Sequence, residues 1–146
     1  MLPRDYRFRI QNQMGAQIDF STDGPNNTFI ITAIGWKFDS DGAVVYSSEF
    51  TPFADPSANL ADAGSANGAD QDNSVDLYLG LDCYATFETD LVGGGGQLDI
   101  YYEYTTDGGI TFPSDAADVV DSEDLIFRRS IIHPGGGDIK AVNFSI

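Results

Sequence analysis

The stretch VDLYLGLDCYATFETDL at residues 75–91 decides how the chain is read. Val75, Leu77, Leu79, Leu81, Cys83, Ala85 and Phe87 hold one parity. Asp76, Tyr78, Asp82, Tyr84, Thr86 and Glu88 hold the other. A period of two places the first set on one face of a β-strand and the second set on the opposite face. The strand is expected to bury one face and solvate the other. Cys83 lies on the apolar parity, so it is expected as a small core residue and not as a nucleophile.

The same alternation recurs on both sides of this stretch. Tyr6, Phe8 and Ile10 alternate with Arg7, Arg9 and Gln11. Residues 16–20 are a shorter candidate, closed by the turn cluster Asp23-Gly24-Pro25-Asn26-Asn27. Residues 28–38 read TFIITAIGWKF, and strict alternation cannot place Phe29, Ile31, Ala33 and Trp36 on one face. A bulge near Gly35 is expected to absorb the slip. Asp39-Ser40-Asp41-Gly42 then turns the chain into residues 43–50 as a β-hairpin. Gly93-Gly94-Gly95-Gly96 leads into 97–104, with Leu98, Ile100, Tyr102 and Tyr104 inside. Residues 125–132 and 139–146 flank His133-Pro134-Gly135-Gly136-Gly137, and residues 116–125 have room for one short helix. The sum is about eight strands. The expected fold is all-β: a single antiparallel β-sandwich over residues 1–146, immunoglobulin-like or jelly-roll in type.

Residues 51–74 differ in character. After Thr51-Pro52-Phe53-Ala54-Asp55-Pro56 they are mostly Ala, Gly, Asn, Asp, Ser and Gln, with Leu60 as the main bulky side chain. A structureless loop of that length is unusual in a compact domain. It reads either as a mobile surface loop or as an assembly loop ordered by a neighbouring subunit.

Composition bounds function. A length of 146 residues fits one domain with its own core. Acidic residues number 23 and basic residues 7, for a formal net charge of −16. That disfavours nucleic acid, whose binding needs a basic face, and disfavours anionic membrane surfaces. One cysteine and one histidine cannot assemble a Cys/His zinc site. The start Met1-Leu2-Pro3-Arg4-Asp5 lacks the pattern of a signal peptide, so folding in a cytoplasm is expected.

Few residues invite chemistry. Asp39 and Asp41 beside Gly42, and Asp115, Asp118, Asp121, Glu123 and Asp124, raise a calcium reading. Neither set has the EF-hand spacing, and solvated turn carboxylates are the simpler account. His133 sits in a Pro/Gly turn without a visible Ser/His/Asp set. The oligoglycine runs lack the lysine and helix of a phosphate loop. No catalytic residue, metal site or cofactor is expected. Tyr78, Tyr84 and Tyr101, on the solvent parity, suit an interface, cross-strand pairing or a sugar-stacking platform.

Two resemblances add to this. Thr105-Thr106-Asp107-Gly108-Gly109-Ile110-Thr111-Phe112 matches S/T-x-D-x-G-x-T-W/F and resembles the Asp-box hairpin of sialidase-like propellers. The resemblance implies a structural hairpin built on Asp107, Gly109, Thr111 and Phe112. The chain is too short for a propeller. The opening RDYRFRIQN at 4–12, the GWKFDSDG strand and turn at 35–42, the oligoglycine turn and YEYTTDGG at 102–109 followed by Thr111-Phe112-Pro113 together resemble small β-sandwich virion structural proteins of tailed bacteriophages. That implies a non-enzymatic virion component, tail-associated or of the capsid cement type. Its partners would be other virion proteins, with homo-oligomers inside a larger assembly. Arg4, Arg7, Arg9, Arg128 and Arg129 would mark a face for an acidic partner, or else scattered charge that keeps strand edges soluble. Phe53 and Leu60 of the 51–74 segment join them as expected interface residues.

Overall fold

The computed structural model describes residues 1–20, 27–54, 56, 59–89, 95–105, 112–113, 126–132 and 138–146. Asp107, Gly109 and Thr111 of the Asp-box hairpin, His133, the turn at 23–26, Gly93 and Gly94, the acidic cluster at 115–124 and the helix expected at 116–125 lie outside the described residues.

The described chain is all-β and forms an antiparallel β-sandwich. Its strands are β1 (Asp5–Gln13), β2 (Ile18–Asp19), β3 (Thr28–Phe38), β4 (Val44–Tyr46), β5 (Phe50–Phe53) and β6 (Asn59–Leu60). They continue as β7 (Ser65–Asn67), β8 (Gln71–Asp72), β9 (Gly80–Thr89), β10 (Gln97–Thr105), β11 (Ile126–Ile132) and β12 (Asp138–Ser145). One sheet runs β11-β10-β1-β7, with β8 also on β1; the other runs β12-β9-β3-β4, with β5 also on β3. We call them the first and second sheet. Alternation builds the core. Tyr6, Phe8 and Ile10, with Leu98, Ile100 and Tyr102, face Phe29, Ile31, Ala33, Leu81, Ala85 and Phe87 from the other sheet. Phe8 and Phe144 meet edge to face across the layers, with centroids 5.9 Å apart.

Cys83 is buried in that core, and burial, with Asp82 adding, pushes its thiol up to about 12. A thiol reagent at neutral pH is therefore expected to leave native protein unmodified and to label it fully in denaturant. Fast labelling of the native protein would contradict this placement.

The structure corrects three expectations. First, the strand inside 75–91 begins only at Gly80. Val75 is 84% exposed, and Leu77 is exposed with a φ of 55°. Asn73 organises these residues as a turn: its Oδ1 accepts from the Tyr78 amide at 2.8 Å, and its Nδ2 donates to the Tyr78 carbonyl at 3.1 Å. Second, no bulge lies at Gly35 in the β3–β9 ladder, which runs without a shift from Thr28↔Glu88 to Trp36↔Gly80. Gly35 stays on the inner face and Trp36 turns outward. The ring of Tyr78 fills the inner position, since a Cβ on Gly35 would sit 2.6 Å from Tyr78 Cγ. The shift in β3 faces β5 instead, between Ile31 and Ala33.

Third, the 51–74 segment folds on its own chain. β5 pairs with β3, β6 with β2, and β7 and β8 with β1. Buried Asn12 fastens it: Nδ2 donates to the carbonyls of Leu60 at 3.0 Å and Ala61 at 3.1 Å. Phe53 and Leu60 are buried, and Phe53 packs edge-on to Phe29 at 5.2 Å. These contacts offset the entropy of ordering the segment, so a neighbouring subunit is not needed to order it. Phe53 and Leu60, expected at an interface, are buried in this chain's own core.

The 39–42 turn forms as expected. Asp39 Oδ1 accepts from the amides of Asp41 and Ala43, each at 2.9 Å, and Gly42 takes a φ of 81° that suits a residue without Cβ. Of residues 43–50, β4 occupies only Val44–Tyr46.

Candidate functional site

The two outer faces of the sandwich have opposite chemistry. On the first sheet, the pairs Arg7↔Glu103, Arg9↔Tyr101 and Gln11↔Asp99 lie across β1 and β10. All are tied down. Arg7 Nε donates to Glu103 Oε1 at 2.5 Å, both side chains being nearly inaccessible, and Arg7 Nη1 reaches Asp70 at 3.4 Å. The ring of Phe112 covers the Arg7 guanidinium, with its centroid 4.1 Å from Cζ. Arg9 donates to Asn67 Oδ1 at 3.0 Å and to Ser65 Oγ. The Tyr101 hydroxyl donates to Gln11 Oε1 at 3.3 Å. Burial and then Asp99 raise the pKa of that phenol. Ser130 and Gln97 both donate to Asp99 Oδ1.

On the second sheet, β3 turns Ile34, Trp36 and Phe38 outward. Its neighbour β4 sets Tyr46 opposite Trp36 and Val44 opposite Phe38. On the other side β9 sets Tyr84 opposite Thr32 and Asp82 opposite Ile34. Directly opposed residues share a face, so Val44, Tyr46, Phe38, Trp36, Ile34 and Tyr84 share one face across three strands, with Thr32 and Asp82 among them. Phe38 is 55%, Tyr46 65% and Tyr84 48% exposed. Trp36 and Phe38 meet edge to face at 6.4 Å. Residues 28–38 do signal this row: Ile30, Ile34, Trp36 and Phe38 are apolar on the parity opposite Phe29, Ile31 and Ala33. A strand apolar on both parities is one meant to be covered on both faces.

The arginines expected to act together are dispersed. Arg7 and Arg9 are engaged within the first sheet. Arg4 is exposed, 3.6 Å from Asp5, and Arg129 is exposed on β11. Arg128 lies over the ring of Tyr102, 5.3 Å from its centroid. Tyr78, Tyr84 and Tyr101 do not form one platform. Tyr84 lies on the second sheet, Tyr101 on the first, and Tyr78 packs half-buried on Gly35. Phe112 is buried.

Among the described residues, no group of three or more His, Cys, Asp or Glu side chains is placed to hold a metal ion, and no helix is long and apolar enough to cross a membrane. No protein-family model, curated protein or solved structure matches the chain.

Proposed function

We propose that the chain is a non-enzymatic structural component of a tailed-phage virion, tail-associated, working through protein–protein contacts made by the outer face of the second sheet. The observation that carries this is the row Tyr46, Trp36, Phe38, Val44, Ile34 and Tyr84, which is exposed on a face whose counterpart on the first sheet is closed by its own polar network. Six large apolar and aromatic side chains gathered on one face of a chain of net charge −16 carry a cost in solubility that a covering partner would offset. Its aromatic composition is that of interface anchors. The phage resemblance of residues 35–42 and 102–113 supports the virion setting, and the same surface would serve a capsid cement protein. The test is the double variant Phe38→Ser with Tyr46→Ser. Both side chains are exposed, so the melting temperature is expected to change little. Incorporation into particles is expected to fall severalfold. Normal incorporation would remove this face from assembly.

One observation favours a second reading, a carbohydrate-binding module. Tyr84, Asp82, Thr32 and Glu49 line one shallow depression on this same sheet, an aromatic ring beside polar groups. A glycan array separates the two readings: saturable sugar binding lost in Tyr84→Ala favours the module.

A further inference from the structure

Charge is distributed unevenly between the two sheets. The chain has 7 lysines and arginines, and the structure describes all of them. Arg7 and Arg9 lie on β1 and Arg128 and Arg129 on β11, all in the first sheet. Arg4 sits beside Asp5 at the start of β1. Lys37 is on the inward parity of β3, where its Nζ donates to the Asp76 carbonyl at 2.6 Å. Lys140 is on the inward parity of β12, opposite Phe87. The outer face of the second sheet therefore carries no lysine or arginine. It does carry carboxylates. Asp82 and Glu88 share the outward parity of Tyr84 on β9, and Glu49 borders the depression beside Tyr84. Asp39 and Asp41 close the hairpin just beyond Phe38 and Val44.

The apolar side chains among these carboxylates are laid flat. Trp36 pairs with Gly80, and a Cβ on Gly80 would sit 2.8 Å from the indole Nε1 and 2.9 Å from Cε2. The indole thus reaches over β9 from β3, an arrangement that a side chain at residue 80 would block. An aromatic floor set among charges of one sign makes a double demand on a partner. Apolar groups must cover the floor, and cations must meet the carboxylates, because like charges brought together oppose docking. A second copy meets only the first demand. A two-fold contact of this face with itself would set carboxylates against carboxylates, between molecules that each carry a net charge of −16.

We propose that the partner of this face is a basic protein surface, with apolar side chains interleaved with lysine or arginine, on a different polypeptide and not on a second copy. The proposal rests on the reading of this face as a contact surface, and not on the virion setting. The partner's cations would set the on-rate, the salt dependence and the choice of partner. The aromatic floor would supply the hold.

Trp36 is the single tryptophan, so its emission reports on this face. The test titrates the full chain with capped octapeptides that alternate leucine with lysine, leucine with glutamate, or serine with lysine. The leucine–lysine peptide is expected to shift the emission to shorter wavelength and to saturate, with both other peptides severalfold weaker. Asp82→Asn with Glu88→Gln keeps the shape of both side chains. It should weaken the leucine–lysine peptide severalfold and flatten its salt dependence. Equal binding of the lysine and glutamate peptides, or unchanged binding by the neutralised variant, would overturn the basic partner and leave the contact face standing. No binding of the leucine–lysine peptide, or unchanged binding by folded Phe38→Ser with Tyr46→Ser, would overturn the face itself and the proposal with it. Sedimentation velocity of the free chain is expected to give a monomer; a dimer with Trp36 emission at shorter wavelength would make a second copy the occupant and overturn the proposal.

Discussion

Glu103→Ala is expected to destabilise the fold by about 3–5 kcal/mol, the usual result of removing one partner from a buried ion pair. Glu103 is fully buried on the outer face of β10, directly across from Arg7 on β1. Its Oε1 accepts from Arg7 Nε at 2.5 Å, and the Arg7 side chain is only 8% exposed. Asp70 also approaches that cation, at 3.4 Å, but its own side chain is 57% exposed and well hydrated. Phe112 over the guanidinium limits the access of water. The double variant Arg7→Met with Glu103→Leu should recover most of the loss, because the cost lies in the unpaired charge and not in the missing attraction. Urea unfolding of the three proteins measures this. A loss below about 1 kcal/mol in the single variant, as for an exposed pair, would show that the site is wet.

Asn12→Ala is expected to cost about 3 kcal/mol, because several buried backbone groups lose their partner at once. Asn12 Nδ2 donates to the carbonyls of Ala16 at 2.7 Å, Leu60 at 3.0 Å and Ala61 at 3.1 Å. Its Oδ1 accepts from the Met14 amide at 2.9 Å. The backbone of Asn12 also pairs with Ala63 and Gly64, so β1 and the 59–64 segment are joined at this residue. The loss should be local as well as global. Hydrogen exchange is expected to quicken at β6 and β7 before the core strands respond. Unaltered exchange there would mean that the segment is held by something other than Asn12.

How much of this was legible follows from which forces leave a periodic trace. The long strands β1, β3, β9 and β10 could be read because burying one face of a sheet imposes a period of two. The same rule misreads residues 75–79, where Val75, Leu77 and Leu79 continue the parity of Leu81 although Val75 and Leu77 face solvent. Strands of two to four residues such as β5 to β8 hold too few positions to alternate. The asparagines that order them, Asn12 and Asn73, have no periodic signature at all. Pairing across sheets was also hidden. The strands on either side of the oligoglycine run do not pair with each other: β9 pairs with β3 and β12 while β10 pairs with β1 and β11. That sheet switch separates Tyr84 from Tyr101. Charge behaves similarly: nothing in the run at residues 4–9 tells that Arg7 is matched to a glutamate 96 positions away. Of the proposed contact face, the outward parity of β3 was visible. Its extension onto Val44, Tyr46 and Tyr84 required the register.

The functional account rests on the apolar face of the second sheet being covered in an assembly. A sandwich of this kind positions that face rigidly, because β3 is held between β9 on one side and β4 and β5 on the other. On the proposed virion role, the most direct measurement is quantitative mass spectrometry of purified particles of the phage that would encode the chain. The account predicts this polypeptide at a fixed stoichiometry with the other tail proteins, retained through gradient purification. Its absence from intact particles, with the polypeptide found only free in the lysate, would contradict a structural role in the virion.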